Sequence, residues 1–127
     1  MSGCNFADIS MIQHEELQQR YLFQWAAFYP QLRWLHAIPN GGKRNKIVAA
    51  KLKAGGVKSG VLDVFLPLAR HGFHGLYIEM KHGKNKLTDN QQAFAAHIEA
   101  EGYKYAVCYH WSEAQKIICD YVGISCK

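Results

Sequence analysis

Apolar and polar positions along the chain change period in blocks, and each change marks an element. Leu17, Tyr21, Trp25 and Phe28 recur at three- and four-residue steps, with Leu22, Ala26 and Tyr29 widening the stripe. That is the signature of a helix with one buried face. Ser10-Met-Ile-Gln13 has the form of a capping box, which predicts where this helix opens. Pro30 lacks an N–H and clashes with the preceding turn, so the helix is predicted to end near Tyr29. Arg33 to Ile38 is a short strand candidate, closed by the turn signal Pro39-Asn-Gly-Gly42. A short basic helix follows to about Ala54, where Gly55-Gly56 can take the backbone that terminates it.

Val61 to Leu68 and Gly75 to Lys81 read as strands. The six residues Arg70-His-Gly-Phe-His-Gly75 between them are short enough for a hairpin, which makes the pair antiparallel. Thr88-Asp-Asn-Gln91 is a second capping box, opening a helix through Phe94 and Ile98 that ends at Gly102. Tyr103 to Tyr109 alternates as a strand, and Ser112-Glu-Ala-Gln115 is expected to cap a last helix closed by Gly123. The order α-β-α-β-β-α-β-α predicts an α/β fold, a mixed central sheet of about four strands flanked by helices. With no internal repeat or linker, residues 1–127 are expected to form one domain with its core at about 10–123.

Composition narrows the class. No apolar run approaches the ~20 residues that cross a bilayer, so no membrane span is expected. The first residues lack the basic segment and apolar stretch of a secretory signal. Cys4, Cys108, Cys119 and Cys126 form no C-x-x-C pair, which leaves a reduced, cytoplasmic protein as the expectation. Charge is unevenly placed: between Leu17 and Leu62 there are eight bases and no acid, within a chain of net charge +5. Lys43, Arg44, Lys46, Lys51, Lys53 and Lys58 fall within sixteen residues. A one-signed block beside a glycine-rich turn suits a polyanion, although a solvated helix face would look the same. Asn40-Gly-Gly-Lys-Arg44 offers backbone N–H groups unblocked by side chains, followed by two cations, and Lys46, Lys51 and Lys53 extend that face.

Strand period locates the candidate chemistry. In Gly75-Leu-Tyr-Ile-Glu-Met-Lys81, Glu79 and Lys81 project to the same side, roughly 6.6 Å apart along the strand. Charges at the end of an apolar strand are costly to bury unless paired. The preceding strand is apolar except for Asp63, and the hairpin brings Asp63 beside Glu79. Two carboxylates and an ammonium at one spot suit Mg²⁺, a hard cation held by one or two carboxylates plus phosphate oxygens. An ion pair at the sheet end is the simpler alternative. Glu15 and Gln19 lie at i, i+4 on the first helix, and Glu15 is placed to reach the sheet edge; Glu16 fits a helix-dipole role.

Taken in order, these blocks resemble the VRR-NUC (virus-type replication-repair nuclease) branch of the PD-(D/E)xK superfamily. They are Glu15-x3-Gln19, Ile38-Pro-Asn-Gly-Gly-Lys-Arg44, Leu52-Lys-Ala-Gly-Gly-Val-Lys-Ser-Gly-Val-Leu-Asp63, Gly75-Leu-Tyr-Ile-Glu-Met-Lys81 and Lys86-Leu-Thr-Asp-Asn-Gln91. The resemblance runs from about His14 to Tyr121, and departs in carrying Leu62 where the family usually has Pro before the catalytic Asp. It implies a restriction-endonuclease-like core that cuts DNA with Mg²⁺ or Mn²⁺. It further implies Asp63, Glu79 and Glu15 as the acidic metal cluster, Lys81 as catalytic lysine, and the Met80 backbone carbonyl as a metal oxygen. Gln19 and Gln91 match polar positions lining the family site. Small members resemble homodimers that cut branched DNA, including four-way (Holliday) junctions. A non-catalytic DNA-binding module on the same fold and a flap-trimming exonuclease are the competing functions.

Other signals carry less. Gly55-Gly-Val-Lys-Ser-Gly60 does not satisfy the P-loop pattern and leads from a helix into a strand, the reverse of the required context. His71-x-x-His74 belongs to the hairpin turn. Trp34, Trp111 and Tyr77 suit either base stacking or the core.

Overall fold

The computed structural model describes residues 6–39 and 46–126, with side chains from residue 14 onward. The elements are α1 (Phe6–Ala26), β1 (His36–Ala37), α2 (Lys46–Ala54), β2 (Val64–Leu66), β3 (Leu76–Met80), α3 (Asp89–Ala100), β4 (Lys104–Cys108) and α4 (Trp111–Val122). Their order is the one the hydrophobic pattern predicts.

Boundaries depart from expectation where local hydrogen bonding competes. Helix α1 begins at Phe6, so Ser10 lies inside it and is not its cap. It ends at Ala26 and a single 3-10 turn follows at Pro30–Leu32; of the expected first strand, Arg33 and Trp34 continue that turn, leaving β1 two residues. The α3 box forms as predicted: the Gln91 N–H donates to Thr88 Oγ1 (3.2 Å) and the Thr88 N–H to Gln91 Oε1 (3.0 Å). The expected Ser112 cap does not form. His110 holds the extended cap conformation, and its ring Nδ1 accepts the Ser112 N–H at 3.1 Å. Gly123 closes α4 at φ 85°, the left-handed conformation glycine adopts without penalty.

The sheet order is β1-β2-β3-β4. Strands β1 and β2 pair antiparallel, β2 and β3 form the antiparallel hairpin, and β4 joins β3 in parallel after crossing over through α3. The register sets Val64 opposite Ile78 and Leu66 opposite Leu76, and Met80 beside Cys108. Strand alternation then sorts the two faces. Val64, Leu66, Leu76, Ile78, Met80 and Cys108 turn toward Leu22 and Ala26 of α1 and Ala114, Ile118 and Tyr121 of α4, and this is the buried core. The other face carries Phe65 and Tyr77, whose rings meet at 4.4 Å and are covered by Phe94 of α3 and by Tyr103. Asp63, Glu79 and Lys81 share this α3 side. No described helix is long and apolar enough to cross a membrane.

Candidate active site

Two polar residues are buried among the described ones, Gln18 and Glu79. Gln18 is accounted for structurally, because its Oε1 accepts the Trp111 N–H at 2.8 Å and ties α1 to the first turn of α4. Glu79 is only 3% exposed near the end of an apolar strand, which demands a different explanation.

The hairpin register places Asp63, just before β2, opposite Glu79. The Asp63 N–H donates to Glu79 Oε1 (3.0 Å), and the Met80 N–H donates to Asp63 Oδ2 (3.2 Å), so each strand holds the other's carboxylate. Glu79 Oε2 accepts from Gln91 Nε2 at 2.9 Å and lies 3.7 Å from the Lys81 ammonium. Gln91 therefore works twice: its carbonyl oxygen completes the α3 cap while its amide fixes Glu79.

Burial and mutual repulsion set the protonation state. Desolvation first, and the adjacent Asp63 charge second, push the Glu79 carboxyl up to about 8, against the favourable charge of Lys81. Asp63 is also raised, chiefly by burial, with the Met80 N–H bond opposing. The Asp63 charge beside Glu79 makes it costly for both groups to ionise at once, so the pair retains a proton, held by Glu79. Two neighbouring carboxyl groups, one of them kept protonated, are an oxygen donor set in which a hard cation can take the proton's place.

The other expected site residues fall in several places. Asp63, Glu79, Lys81 and Gln91 are brought together, and Met80 lies between Glu79 and Lys81. Glu15 and Gln19 are half-buried on α1. Among the described residues no three His, Cys, Asp or Glu side chains are grouped so as to hold a metal, so Glu15 does not join the pair in this structure. Helix α1 packs on the core face, where the His14 ring meets the His82 ring at 4.1 Å, while Asp63 and Glu79 project to the α3 face. Sequence spacing gives which residues share a helix face but not which face of the sheet that helix covers.

Asn40, Gly41, Gly42, Lys43 and Arg44 lie outside the described residues. Lys46, Lys51 and Lys53 are exposed on α2, a helix with no buried residue and no acid in its first turn. The loop that follows it is tied to the site, since Asn90 Nδ2 donates to Ser59 Oγ at 3.1 Å, one residue from Gln91. Of the stacking candidates, Trp34 is 64% exposed with the Arg33 guanidinium 5.2 Å above its ring, whereas Tyr77 belongs to the aromatic cluster under α3. His71 bonds the Tyr121 carbonyl at 3.1 Å, beyond the opposite end of the hairpin.

A mixed sheet whose central hairpin presents Asp…Glu-x-Lys at one end defines a restriction-endonuclease-like core of the PD-(D/E)xK class. The family model for the VRR-NUC domain matches residues 7–111, and the chain belongs to the VRR-NUC family, a family of nucleases. A solved structure described as a VRR_NUC domain protein is similar over 88% of this chain and 90% of its own, at 27% identity and a TM-score of 0.75. Among curated proteins nothing matches.

Proposed function

We propose that the protein is a metal-dependent endodeoxyribonuclease that hydrolyses phosphodiester bonds in branched DNA, four-way junctions among its substrates, and acts as a homodimer. The observation that carries this reading is the carboxyl pair of buried Glu79 and half-buried Asp63, with Lys81 at its side. The donor set is all oxygen and suits Mg²⁺ or Mn²⁺. Asp63 and Glu79 would hold the ion, with the Met80 carbonyl as a third oxygen. When bound, such an ion supplies positive charge that polarises a scissile phosphate and lowers the pKa of water.

The chain's own groups do the rest. Gln91 and the Asp63 N–H keep the Glu79 carboxylate from rotating away from its partner. The Lys81 ammonium, only 12% exposed, offsets negative charge developing on the phosphoryl oxygens. Lys46, Lys51 and Lys53, together with Asn40, Gly41, Gly42, Lys43 and Arg44, would hold flanking phosphates, contacts that carry no base information. Glu15 stands outside the pair, and Gln19 is a polar neighbour on the same helix face. Two cuts at a junction need two sites related by a two-fold axis, which is the physical motive for a dimer.

One experiment separates the readings. The protein is incubated with a four-way junction, a flap and a linear duplex, with Mn²⁺ or with EDTA. Internal cuts in the junction with Mn²⁺, lost in EDTA and in Asp63→Ala, Glu79→Ala and Lys81→Ala, are the expected result. Binding without cleavage would favour the non-catalytic module, and end-trimming of flaps would favour the exonuclease.

A further inference from the structure

The segment between Lys81 and Thr88 has no part in the site described so far, yet it begins and ends there. Lys81 precedes it, and the α3 cap that follows it leads to Gln91, the donor to Glu79. It contains Lys84 and Lys86, both exposed, and no acid. Neither lysine forms an ion pair among the described residues. The segment is anchored at several points. Gly83 turns the chain at φ 61°, the Asn85 N–H donates to the His82 carbonyl at 3.1 Å, and His82 is held against His14. Just after β4, the Tyr109 hydroxyl donates to the Asn85 carbonyl at 2.7 Å, halfway between the two lysines.

An exposed lysine pair on a floppy loop would be a solvated surface. Here the backbone is held in one shape without help from the lysines, and their ammonium groups have no ion-pair partner among the described residues. Chain reach keeps Lys84 within about 11 Å of Lys81, at about 3.6 Å per residue, which is a few phosphates along one strand. The arm is also joined to the β4 side of the site, whereas α2 connects through β2 on the other side. We infer that residues 82–87 form a second DNA-backbone arm, in which Lys84 and Lys86 contact phosphates of the strand being cut and Tyr109 is the positioning residue that holds the arm. A substrate strand then crosses the end of the sheet, from α2 over Asp63 and Glu79 to this loop. The inference rests on the nuclease reading above and extends it to the path of the strand.

The test measures binding of a synthetic four-way junction in EDTA across a salt series. Lys84→Ala/Lys86→Ala should weaken binding and reduce the slope of log K against log salt by about 1.8, the loss of two phosphate contacts. Tyr109→Phe keeps the ring and both lysines, so it should weaken binding about 2- to 10-fold with the slope unchanged. Lys116→Ala, on α4 at the far face and paired only with Asp120, should match the wild type. A wild-type slope in the double lysine variant overturns the arm, and wild-type affinity in Tyr109→Phe overturns the positioning role. Cleavage by the wild type in Mn²⁺ is scored alongside. If the wild type cuts while the lysine variant keeps its slope, the arm alone is wrong; if the wild type neither binds nor cuts, the nuclease reading falls and takes the arm with it.

Discussion

A carboxylate buried to 3% exposure is held in place by its neighbours at the cost of its charge. Glu79 keeps its proton up to about 8 in the folded chain, against 4.5 for the free side chain. Between those values the unfolded chain has released a proton that the folded chain retains. Stability is therefore greatest below the lower value and falls as pH rises toward the upper, by up to about 1.4 kcal/mol per pH unit. In EDTA the unfolding temperature should drop between about pH 5 and about pH 8, and Glu79→Gln, which removes the titrating group, should flatten the drop. A wild-type profile that rises or stays level across that window would contradict a Glu79 proton retained on folding. At this scale the sequence was legible through the two-residue period, which put Glu79 and Lys81 on one side and Asp63 within reach. It did not reveal the second bond made by Gln91, because a capping box states only what its oxygen does. The aromatic cluster of Phe65, Tyr77, Phe94 and Tyr103 was likewise invisible to spacing, since its members come from separate elements.

Among elements, type and order were readable and limits were not. The capping box at Thr88 set α3 correctly because both of its hydrogen bonds are local. The boxes at Ser10 and Ser112 misled, the first because α1 continues upstream through Phe6, the second because His110 takes the cap with its ring nitrogen. Glu15 shows the same limit one level up: its helix face was legible, but the face of the sheet that α1 covers depends on packing across the whole core. The link between α2 and α3 offers a test at this scale. Gly60 has φ 97°, and a Cβ there would lie 2.6 Å from the Asn90 carbonyl oxygen. Gly60→Ala should destabilise the fold by roughly 1–3 kcal/mol through strain and clash, and loosen the α3 end that holds Gln91. Chemical denaturation checks this, and an unchanged midpoint would mean that the close approach is not needed.

For the molecule as a whole, the fold places one carboxyl pair where two central strands meet and two basic segments leave from either side of it. Membership of the VRR-NUC family accounts for the architecture, and the physical content of the function lies in that pair. A carboxyl pair that served only packing would be replaced without loss by amides, whereas a pair built to hold a cation would not. Calorimetric titration of Mn²⁺ into the wild type, Asp63→Ala and Glu15→Ala therefore tests the central claim most directly. Binding by the wild type and by Glu15→Ala, with none by Asp63→Ala, is the outcome expected here. Undiminished Mn²⁺ binding by Asp63→Ala would contradict it.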